Sequence, residues 1–344
     1  MAAARSLPRF PSATCPQGDD TLNPMTAVAA IQTPNLAQIC ELRETVSSAL
    51  EGKEEAVELA LTAMLARGHL LIEDVPGVGK TTLARALAAA VGGELRRVQF
   101  TSDMLPSDII GVSVYDQRRA EFVFKPGPIL ANVMLADEIN RASPRTQSAL
   151  LEAMNEGQVS IDGQTIPLPD PFFVIATQNP TDFAGTFPLP ESQLDRFLLR
   201  LRIGYPPAQV ETRLLLDGSS RTRKVDQKVL SPEQLVALQC DVARVTVDPT
   251  IAGYVHAVVH ATRTSSLLSL GVSTRGALSL VAAAKARAHL RGRSYCIADD
   301  VQDLAVHVLA HRVRLASQAE GFWATRDEHE AAIREIVGKI PVPI

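Results

Sequence analysis

One glycine-rich stretch constrains the fold of this chain more than any other feature. It reads DVPGVGKT at residues 74–81, after an apolar run at 69–72 and before an Ala-rich segment at 82–91. The apolar run predicts a buried strand and the Ala-rich segment predicts a helix, so the glycines stand at a strand-to-helix turn. Gly77 and Gly79 permit a tight bend in which consecutive backbone N–H groups face one point. This order of strand, loop and helix is typical of a phosphate-binding loop.

The phosphate-binding loop (residues 74–81) predicts a nucleotide site that uses ATP and Mg²⁺. Lys80 can reach the β- and γ-phosphates, Thr81 can offer its hydroxyl to Mg²⁺, and the following helix directs its positive end at the same place. The general pattern has glycine at the first position, where this chain has Asp74 at the end of the strand. A purely structural turn is the alternative. The predicted nucleotide-binding residues are Asp74, Val75, Pro76, Gly77, Val78, Gly79, Lys80, Thr81 and Thr82.

Four further strand-like runs are separated by helical segments, and they lie at 97–100, 133–136, 172–176 and 198–203. Several are apolar at consecutive positions, as buried parallel strands are. Together with the first run they predict an α/β fold with a five-stranded parallel sheet flanked by helices, ending near residue 205.

The character of the sequence changes after residue 206. Strand-like runs disappear, and helical patterns follow at 207–218, 231–243, 250–263, 273–291 and 298–317. These patterns predict an all-helical domain over residues 206–344. At the other end, residues 1–34 hold five prolines without sustained periodicity, which predicts a disordered tail, and either Met1 or Met25 can be the real start.

Two acidic side chains, Asp137 and Glu138, follow the apolar run at 133–136. Ligands of parallel sheets bind at the carboxyl ends of the strands, which places both carboxylates at the expected nucleotide site. Asp137 is predicted to hold Mg²⁺ together with Thr81, and Glu138 to polarise the attacking water. Alone, this pattern also fits an ordinary strand end, but beside the phosphate-binding loop it favours catalysis.

A third polar strand end follows the run at 172–176 and contains Asn179. An amide beside the acidic strand can orient water against the γ-phosphate, whereas an Asx turn before proline is the structural alternative. Taken with the other two motifs, the position favours Asn179 as a γ-phosphate sensor.

These motifs, in this order, resemble those of the MoxR family of AAA+ ATPases. The resemblance spans about residues 36–318 and is carried by LLIEDVPGVGKTTLA, FTSDMLPSDIIG, FVFKPGPILANVMLADEINRASPRTQSALLEAMNEGQVSIDG, PFFVIATQNP and FPLPESQLDRFLLRLRIGYP. It implies an AAA+ P-loop core at 35–205 with a C-terminal all-α lid at 206–344. It also implies that aspartate is frequent at the first position of the loop.

The resemblance adds two arginines to the expected site. Arg196 matches the arginine finger, which would reach the γ-phosphate bound to a neighbouring subunit. Without the resemblance, a surface salt bridge with Asp195 or Glu191 is the alternative. Arg275 matches the sensor 2 arginine at the start of a lid helix, which would touch the γ-phosphate in cis.

Two hairpins are predicted in the core. The segments 112–115 and 121–124 alternate around a polar turn and resemble an insert in helix 2, at about 106–127. The segments 158–161 and 164–166 flank Asp162-Gly163, a type I′ turn signal, and resemble the hairpin before sensor 1 at about 156–168. Both hairpins are candidate contacts with a substrate or partner, and packing between subunits is the alternative.

The predicted function is ATP hydrolysis by a homo-oligomeric ring, with a hexamer expected. The MoxR resemblance implies a chaperone-like or maturation role and a client or partner protein, often with a von Willebrand factor A domain. The alternatives are the motor of a metal-chelatase-like complex, a nucleic-acid-remodelling motor and a slow nucleotide-gated scaffold. No nucleic acid is expected, because the net charge is −4, aromatic residues make up 4% and the hairpin at 156–168 has no Lys or Arg.

The sequence also predicts a cytoplasmic protein without direct membrane insertion. No apolar run approaches the roughly 18 residues that a spanning helix needs. Prolines interrupt the N-terminal stretch, which does not fit a signal peptide.

Overall fold

The computed structural model describes residues 33–179, 186–217, 227–317 and 325–343. The predicted tail at 1–34 lies outside these residues except for Thr33 and Pro34, which begin the first helix. The helices are α1 (Thr33–Ala49), α2 (Glu54–Leu65), α3 (Lys80–Ala90), α4 (Pro106–Ile110), α5 (Pro144–Glu156), α6 (Glu191–Leu194), α7 (Ala208–Asp217), α8 (Pro232–Ala243), α9 (Pro249–Thr264), α10 (Thr274–Leu290), α11 (Ala298–Leu309) and α12 (Arg326–Gly338). The strands are β1 (Leu70–Glu73), β2 (Leu95–Gln99), β3 (Gly111–Asp116), β4 (Glu121–Pro126), β5 (Val133–Asp137), β6 (Gln158–Ile161), β7 (Gln164–Pro167), β8 (Phe173–Gln178), β9 (Leu199–Leu201), β10 (Leu268–Leu270) and β11 (Arg314–Leu315).

A five-stranded sheet forms the centre of the N-terminal half, in the order β2-β5-β8-β1-β9. All neighbouring strands are parallel, and Leu70 of β1 lies opposite Ile175 of β8 and Leu199 of β9. The central strands are buried on both faces, which explains why they read as continuous apolar runs. The predicted α/β fold with five parallel strands is therefore confirmed, and the carboxyl ends of β1, β5 and β8 share one edge.

Alternate residues of the sheet enter two separate apolar clusters. Leu70 and Ile72 of β1 pack into the cluster that also contains α1, α2 and α3, whereas Leu71 points to the opposite face with Met134 and Val174. The first cluster continues into the helices of the C-terminal region. The C-terminal helices therefore share an apolar core with one face of the sheet. Burial of this apolar surface is the main term that stabilises their packing on the sheet.

Two antiparallel hairpins form where the sequence predicts them. In the β3–β4 pair, Tyr115 lies opposite Phe122, and their rings meet edge to face at 5.3 Å. In the β6–β7 pair, Asp162 and Gly163 have φ angles of 50° and 77°, as a type I′ turn requires. Phe122 is 73% exposed, so the tip of the first hairpin presents an aromatic surface.

The C-terminal region contains α7 to α12, and it differs from the prediction at its end. The predicted helix at 298–317 stops at Leu309. A short 3₁₀ helix follows, and then strand β11, which pairs with the earlier strand β10. Helix α12 was not predicted. Its sequence does carry a signal, since Thr325 and Glu328 form a capping box ahead of the buried Ile333 and Ile336.

Two histidines, His307 of α11 and His311 of the following 3₁₀ helix, dock this region against β9 and the residues just before it. His307 Nδ1 lies 3.3 Å from Arg200 O, and His311 Nε2 lies 3.0 Å from Phe197 O. Burial lowers the pKa of both imidazoles, which favours neutral rings that donate to these carbonyls.

Within the described ranges, no three His, Cys, Asp or Glu side chains form a metal cluster, and no helix is long and apolar enough to cross a membrane.

Candidate nucleotide site

The phosphate-binding loop joins β1 to α3 in a sharp turn that its glycines make possible. Gly77 and Gly79 have φ angles of 86° and 102°, in a region that L side chains rarely adopt. Gly79 is also the residue that caps α3, and a Cβ at this position would lie 3.0 Å from Leu50 Cδ1. The conformation therefore favours glycine at both positions, and a side chain at position 79 would also press against Leu50.

The loop forms one wall of a cleft of about 370 Å³ at the carboxyl edge of the sheet. The lining residues are Pro76, Gly77, Gly79, Lys80, Thr81, Thr82, Arg97, Gln99, Asp137, Glu138 and Asn179. The cleft thus brings together the three predicted motifs, which follow β1, β5 and β8. Asp74, Val75 and Val78 of the predicted set support the loop instead, since Asp74 is buried and the two valines pack on the apolar core.

Lys80 lies at the base of this cleft. Its Nζ donates to the carbonyl of Asp74 at 2.5 Å. Burial lowers the pKa of the Lys80 ammonium, and the carboxylates of Asp74, Asp137 and Glu138 act in the opposite direction. A bound polyphosphate would add further negative charge and stabilise the ammonium form.

Asp137 is held at both carboxylate oxygens. Oδ1 accepts a hydrogen bond from Thr177 Oγ1 at 2.6 Å, and Oδ2 accepts two from Arg97, at 2.7 Å from Nη2 and 3.2 Å from Nε. These bonds fix the orientation of the carboxylate at the end of β5, as expected of a residue that must present an oxygen to a ligand.

Glu138 has an unusual backbone conformation, with a φ of 56° in the left-handed region. Its N–H donates to Thr177 Oγ1 at 2.9 Å, which stabilises the turn. The carboxylate accepts from Gln99 Nε2 at 2.8 Å and pairs with Arg141 Nε at 2.9 Å. Strained backbone at a polar residue in a cleft is typical of functional sites.

Arg97 and Gln99 are site residues that the sequence reasoning missed. They occupy alternate positions of β2, so both side chains lie on one face, and β2 pairs with the acidic strand β5. The usable signal is two polar residues spaced by two in a short strand. The local sequence pattern does not show that this strand lies next to β5 in the sheet.

Arg196 and Arg275 lie together outside the described lining of the cleft. Arg196 Nη1 donates to Leu151 O at 2.6 Å, and Arg275 Nη2 donates to Asn155 Oδ1 at 2.7 Å. Arg275 Nε also lies 4.0 Å from Asp195 Oδ2. We call this surface the arginine flank (Leu151, Asn155, Asp195, Arg196 and Arg275).

The contacts of the arginine flank bear on the alternative reading of Arg196 and on the expected role of Arg275. Asp195 pairs with Arg312 at 2.6 Å and Glu191 pairs with Arg314 at 2.7 Å, so neither acid makes the alternative salt bridge with Arg196. Arg275 does not line the described cleft, so its predicted contact with the γ-phosphate in cis would require a different position of the lid. Helix α10 begins beside the last turn of α5, which brings Arg275 to Asn155 instead of the cleft.

The residues present fit a Mg²⁺ ion that is bound together with a nucleotide. The Thr81 hydroxyl and the Asp137 carboxylate line the same cleft and supply oxygen ligands, which a hard cation prefers. Nucleotide-bound Mg²⁺ commonly uses one or two carboxylates, with phosphate and water oxygens completing the octahedron.

Two family models match this chain. The model of the ATPase family associated with various cellular activities matches residues 69–199, which contain the cleft and four of the five sheet strands, up to the first residue of β9. The model of the AAA lid domain matches residues 260–336, which contain Arg275 and most of α12.

Several relatives match over most of their length. The uncharacterized protein YeaC of Bacillus subtilis is 49% identical over 88% of this chain and 93% of its own. Chaperone MoxR1 of Mycobacterium tuberculosis is 41% identical over 87% of this chain and 80% of its own. The crystal structure of a candidate ATPase from Cytophaga hutchinsonii superposes with a TM-score of 0.81 and 34% identity, over 90% of this chain and 96% of that chain. This chain therefore belongs to the MoxR family of AAA+ ATPases.

Proposed function

We propose that the chain hydrolyses ATP to ADP and phosphate, and that this reaction drives chaperone-like remodelling or maturation of a partner protein. The observation that supports hydrolysis is the convergence of Lys80, Asp137, Glu138 and Asn179 on one cleft. A glycine loop at a helix N-terminus binds phosphate, and the two acids supply the metal ligand and the base of phosphoryl transfer.

Each side chain has a separate task in this mechanism. Lys80 binds the β- and γ-phosphates and bears part of the charge that develops on them. Thr81 and Asp137 would hold Mg²⁺, which neutralises phosphate charge when it is bound. Glu138 accepts a proton from the attacking water, and Asn179 orients that water.

The arginine flank supports assembly into a ring, for which we propose a hexamer. Arg196 and Arg275 lie outside the cleft of their own chain, and half of the Arg275 side chain is exposed. We propose that both reach the γ-phosphate bound to the neighbouring subunit, where a guanidinium fork stabilises the transition state.

The proposed client role rests on the chaperone name of MoxR1, to which this chain is 41% identical. The two hairpins, β3–β4 and β6–β7, are the proposed contacts with the client. The proposed partner carries a von Willebrand factor A domain, as the MoxR resemblance implies.

Two substitutions test the hydrolysis proposal. Lys80→Ala should abolish nucleotide binding and turnover, whereas Glu138→Gln should retain ATP binding and lose phosphate release by about 100-fold or more. Lys285→Ala and Glu335→Gln are matched controls, because Lys285 donates to a carbonyl in the helical region and Glu335 forms an exposed ion pair. Turnover that survives both site substitutions would contradict the proposal.

A further inference from the structure

Asp74 occupies the first position of the phosphate-binding loop, and its side chain does not face the cleft. The residue is buried, and its carboxylate accepts three backbone hydrogen bonds. Oδ1 accepts from Val75 N at 2.8 Å, while Oδ2 accepts from Ile203 N at 2.7 Å and Gly204 N at 2.6 Å. One carboxylate thus joins the loop to a segment 129 residues further along the chain.

The segment held by Asp74 leads from the sheet to the lid. Residues 202–207, here called the linker, connect β9 to α7. Gly204 has a φ of 68°, and Lys53 Nζ donates to the next carbonyl, that of Tyr205, at 2.5 Å. The amides of Ile203 and Gly204 lie beyond the end of β9, so Asp74 supplies the acceptors that a neighbouring strand would otherwise provide.

The last helix of the lid contacts the same place. Arg326, the first residue of α12, donates to Leu201 O at 3.0 Å and to Glu73 O at 3.4 Å. The Arg326 side chain is 7% exposed, and its Nε pairs with Glu330 at 2.5 Å. Glu73 directly precedes Asp74, and Leu201 directly precedes the linker. The start of the loop, the linker and α12 therefore meet through buried, charge-assisted hydrogen bonds.

We propose that Asp74 is a positioning residue that couples the phosphate-binding loop to the linker, and through it to the lid. Phosphate bound by the loop restricts the motion of residues 75–79. Through its hydrogen bonds, Asp74 then restricts the amides of residues 203 and 204 as well. The glycine of the general loop pattern has no side chain for this contact. The inference rests on the proposed nucleotide binding, but the contact between Asp74 and the linker can be tested without nucleotide.

Asp74→Asn tests the coupling with little change in volume. An amide has one acceptor oxygen and no charge. Whichever way it turns, the two bonds to the linker amides are either lost or deprived of their charge assistance. Hydrogen exchange measured by mass spectrometry should show amides 203 and 204 opening about tenfold faster without nucleotide. Asp248→Asn is the matched control, since Asp248 accepts from Thr250 N at the exposed start of α9.

The nucleotide response separates coupling from a purely structural role. In the wild-type chain, ADP should slow exchange in both the loop and the linker. In Asp74→Asn it should slow exchange in the loop alone. The affinity for ADP should stay within about threefold, while kcat falls about tenfold. The proposal would be overturned if the folded Asp74→Asn variant showed the same hydrogen exchange at the linker amides as the wild-type chain, both without ADP and with it.

Gly204→Ala keeps the test decisive if Asp74→Asn does not fold. A side chain at this positive φ strains the linker, whereas its Cβ would meet nothing closer than Lys53 Nζ at 3.6 Å. The same loss of the linker response with retained ADP binding supports the coupling, and an unchanged response contradicts it. If the wild-type chain binds no ADP, the proposed function is contradicted instead. Hydrogen exchange of the linker amides without nucleotide then still tests whether Asp74 holds the linker.

Discussion

The cleft and the arginine flank differ in how much of their task one chain can perform. The cleft gathers its phosphate loop, acids and amide within one chain, at adjoining strand ends. The flank carries two arginines whose own bonds go to Leu151 and Asn155 of α5. From this difference we expect a single chain to bind nucleotide, whereas fast turnover should depend on the proposed assembly.

Loss of an arginine from the flank should give the largest effect. Arg196→Ala or Arg275→Ala should lower kcat by about 10³-fold, because an arginine supplied in trans contributes on that scale. Nucleotide affinity should stay near wild type, because neither side chain lines the cleft of its own chain. Phosphate release and equilibrium binding of ADP measure the two quantities.

A mixing experiment decides between trans and cis action. Lys80→Ala subunits keep Arg196, and Arg196→Ala subunits keep an intact cleft, so mixed interfaces should regain some turnover. Arg314→Ala is the control for loss of an arginine outside the flank, because Arg314 forms an exposed ion pair with Glu191. A mixture that co-assembles and stays inactive would contradict the trans assignment.

The next largest expected effect is on the pH dependence of stability. It concerns His69, which connects the sheet to the helix that carries part of the arginine flank. Its Nδ1 accepts from Val174 N of β8 at 3.1 Å, so Nε2 carries the proton and donates to Met154 O at 3.2 Å, one residue before Asn155. Burial lowers the pKa of His69 from 6.5 to about 4. The unfolded chain therefore takes up the proton first as the pH falls.

The contribution of His69 to stability should be complete above pH 6.5 and should be lost progressively as the pH falls to about 4. The expected loss is about 3 kcal/mol in the free energy of unfolding. Urea unfolding of wild type and His69→Gln between neutral and acid pH measures the difference in slope. His256→Gln, at an exposed helix position, should keep the wild-type slope, and equal slopes for all three proteins would contradict the role of His69.

A smaller effect is expected from Gln99, which separates binding from chemistry inside the cleft. Gln99→Ala removes one of the two partners that the described residues give the Glu138 carboxylate and leaves Arg141 in place. We expect kcat to fall roughly tenfold with KM unchanged, because orientation of the base matters in the transition state. Gln164→Ala on the exposed β6–β7 hairpin is the control. A change in KM alone would place Gln99 in nucleotide binding instead.

The sequence predicted the cleft better than the flank for a physical reason. Apolar runs and glycines report local burial and backbone conformation, so the loop and both acids could be located. The order β2-β5 depends on long-range pairing, which hides the contact between Arg97 and Asp137. The position of Arg275 depends on how α10 packs against α5, and the contact of Asp74 depends on the path of the linker. Such contacts follow from tertiary packing, not from spacing.

The smallest expected effect concerns Arg97 and the metal. Its guanidinium donates twice to Asp137 Oδ2, and its positive charge opposes Mg²⁺ at the same carboxylate. The Arg97 side chain is 51% exposed, so solvent weakens this repulsion. Arg97→Gln should therefore lower the Mg²⁺ concentration for half-maximal nucleotide binding by only about threefold.

The neighbouring arginine on β2 provides the matched control for this measurement. Arg96 pairs with Glu94 and is 60% exposed, so Arg96→Gln changes the same charge without touching Asp137. A Mg²⁺ requirement that rises in Arg97→Gln would mean that Arg97 orients Asp137 for the metal and does not compete with it. The cleft would then depend on β2 for metal binding as well as for holding Glu138. Nucleotide binding would still be complete within one chain, and the contrast with the arginine flank would become sharper.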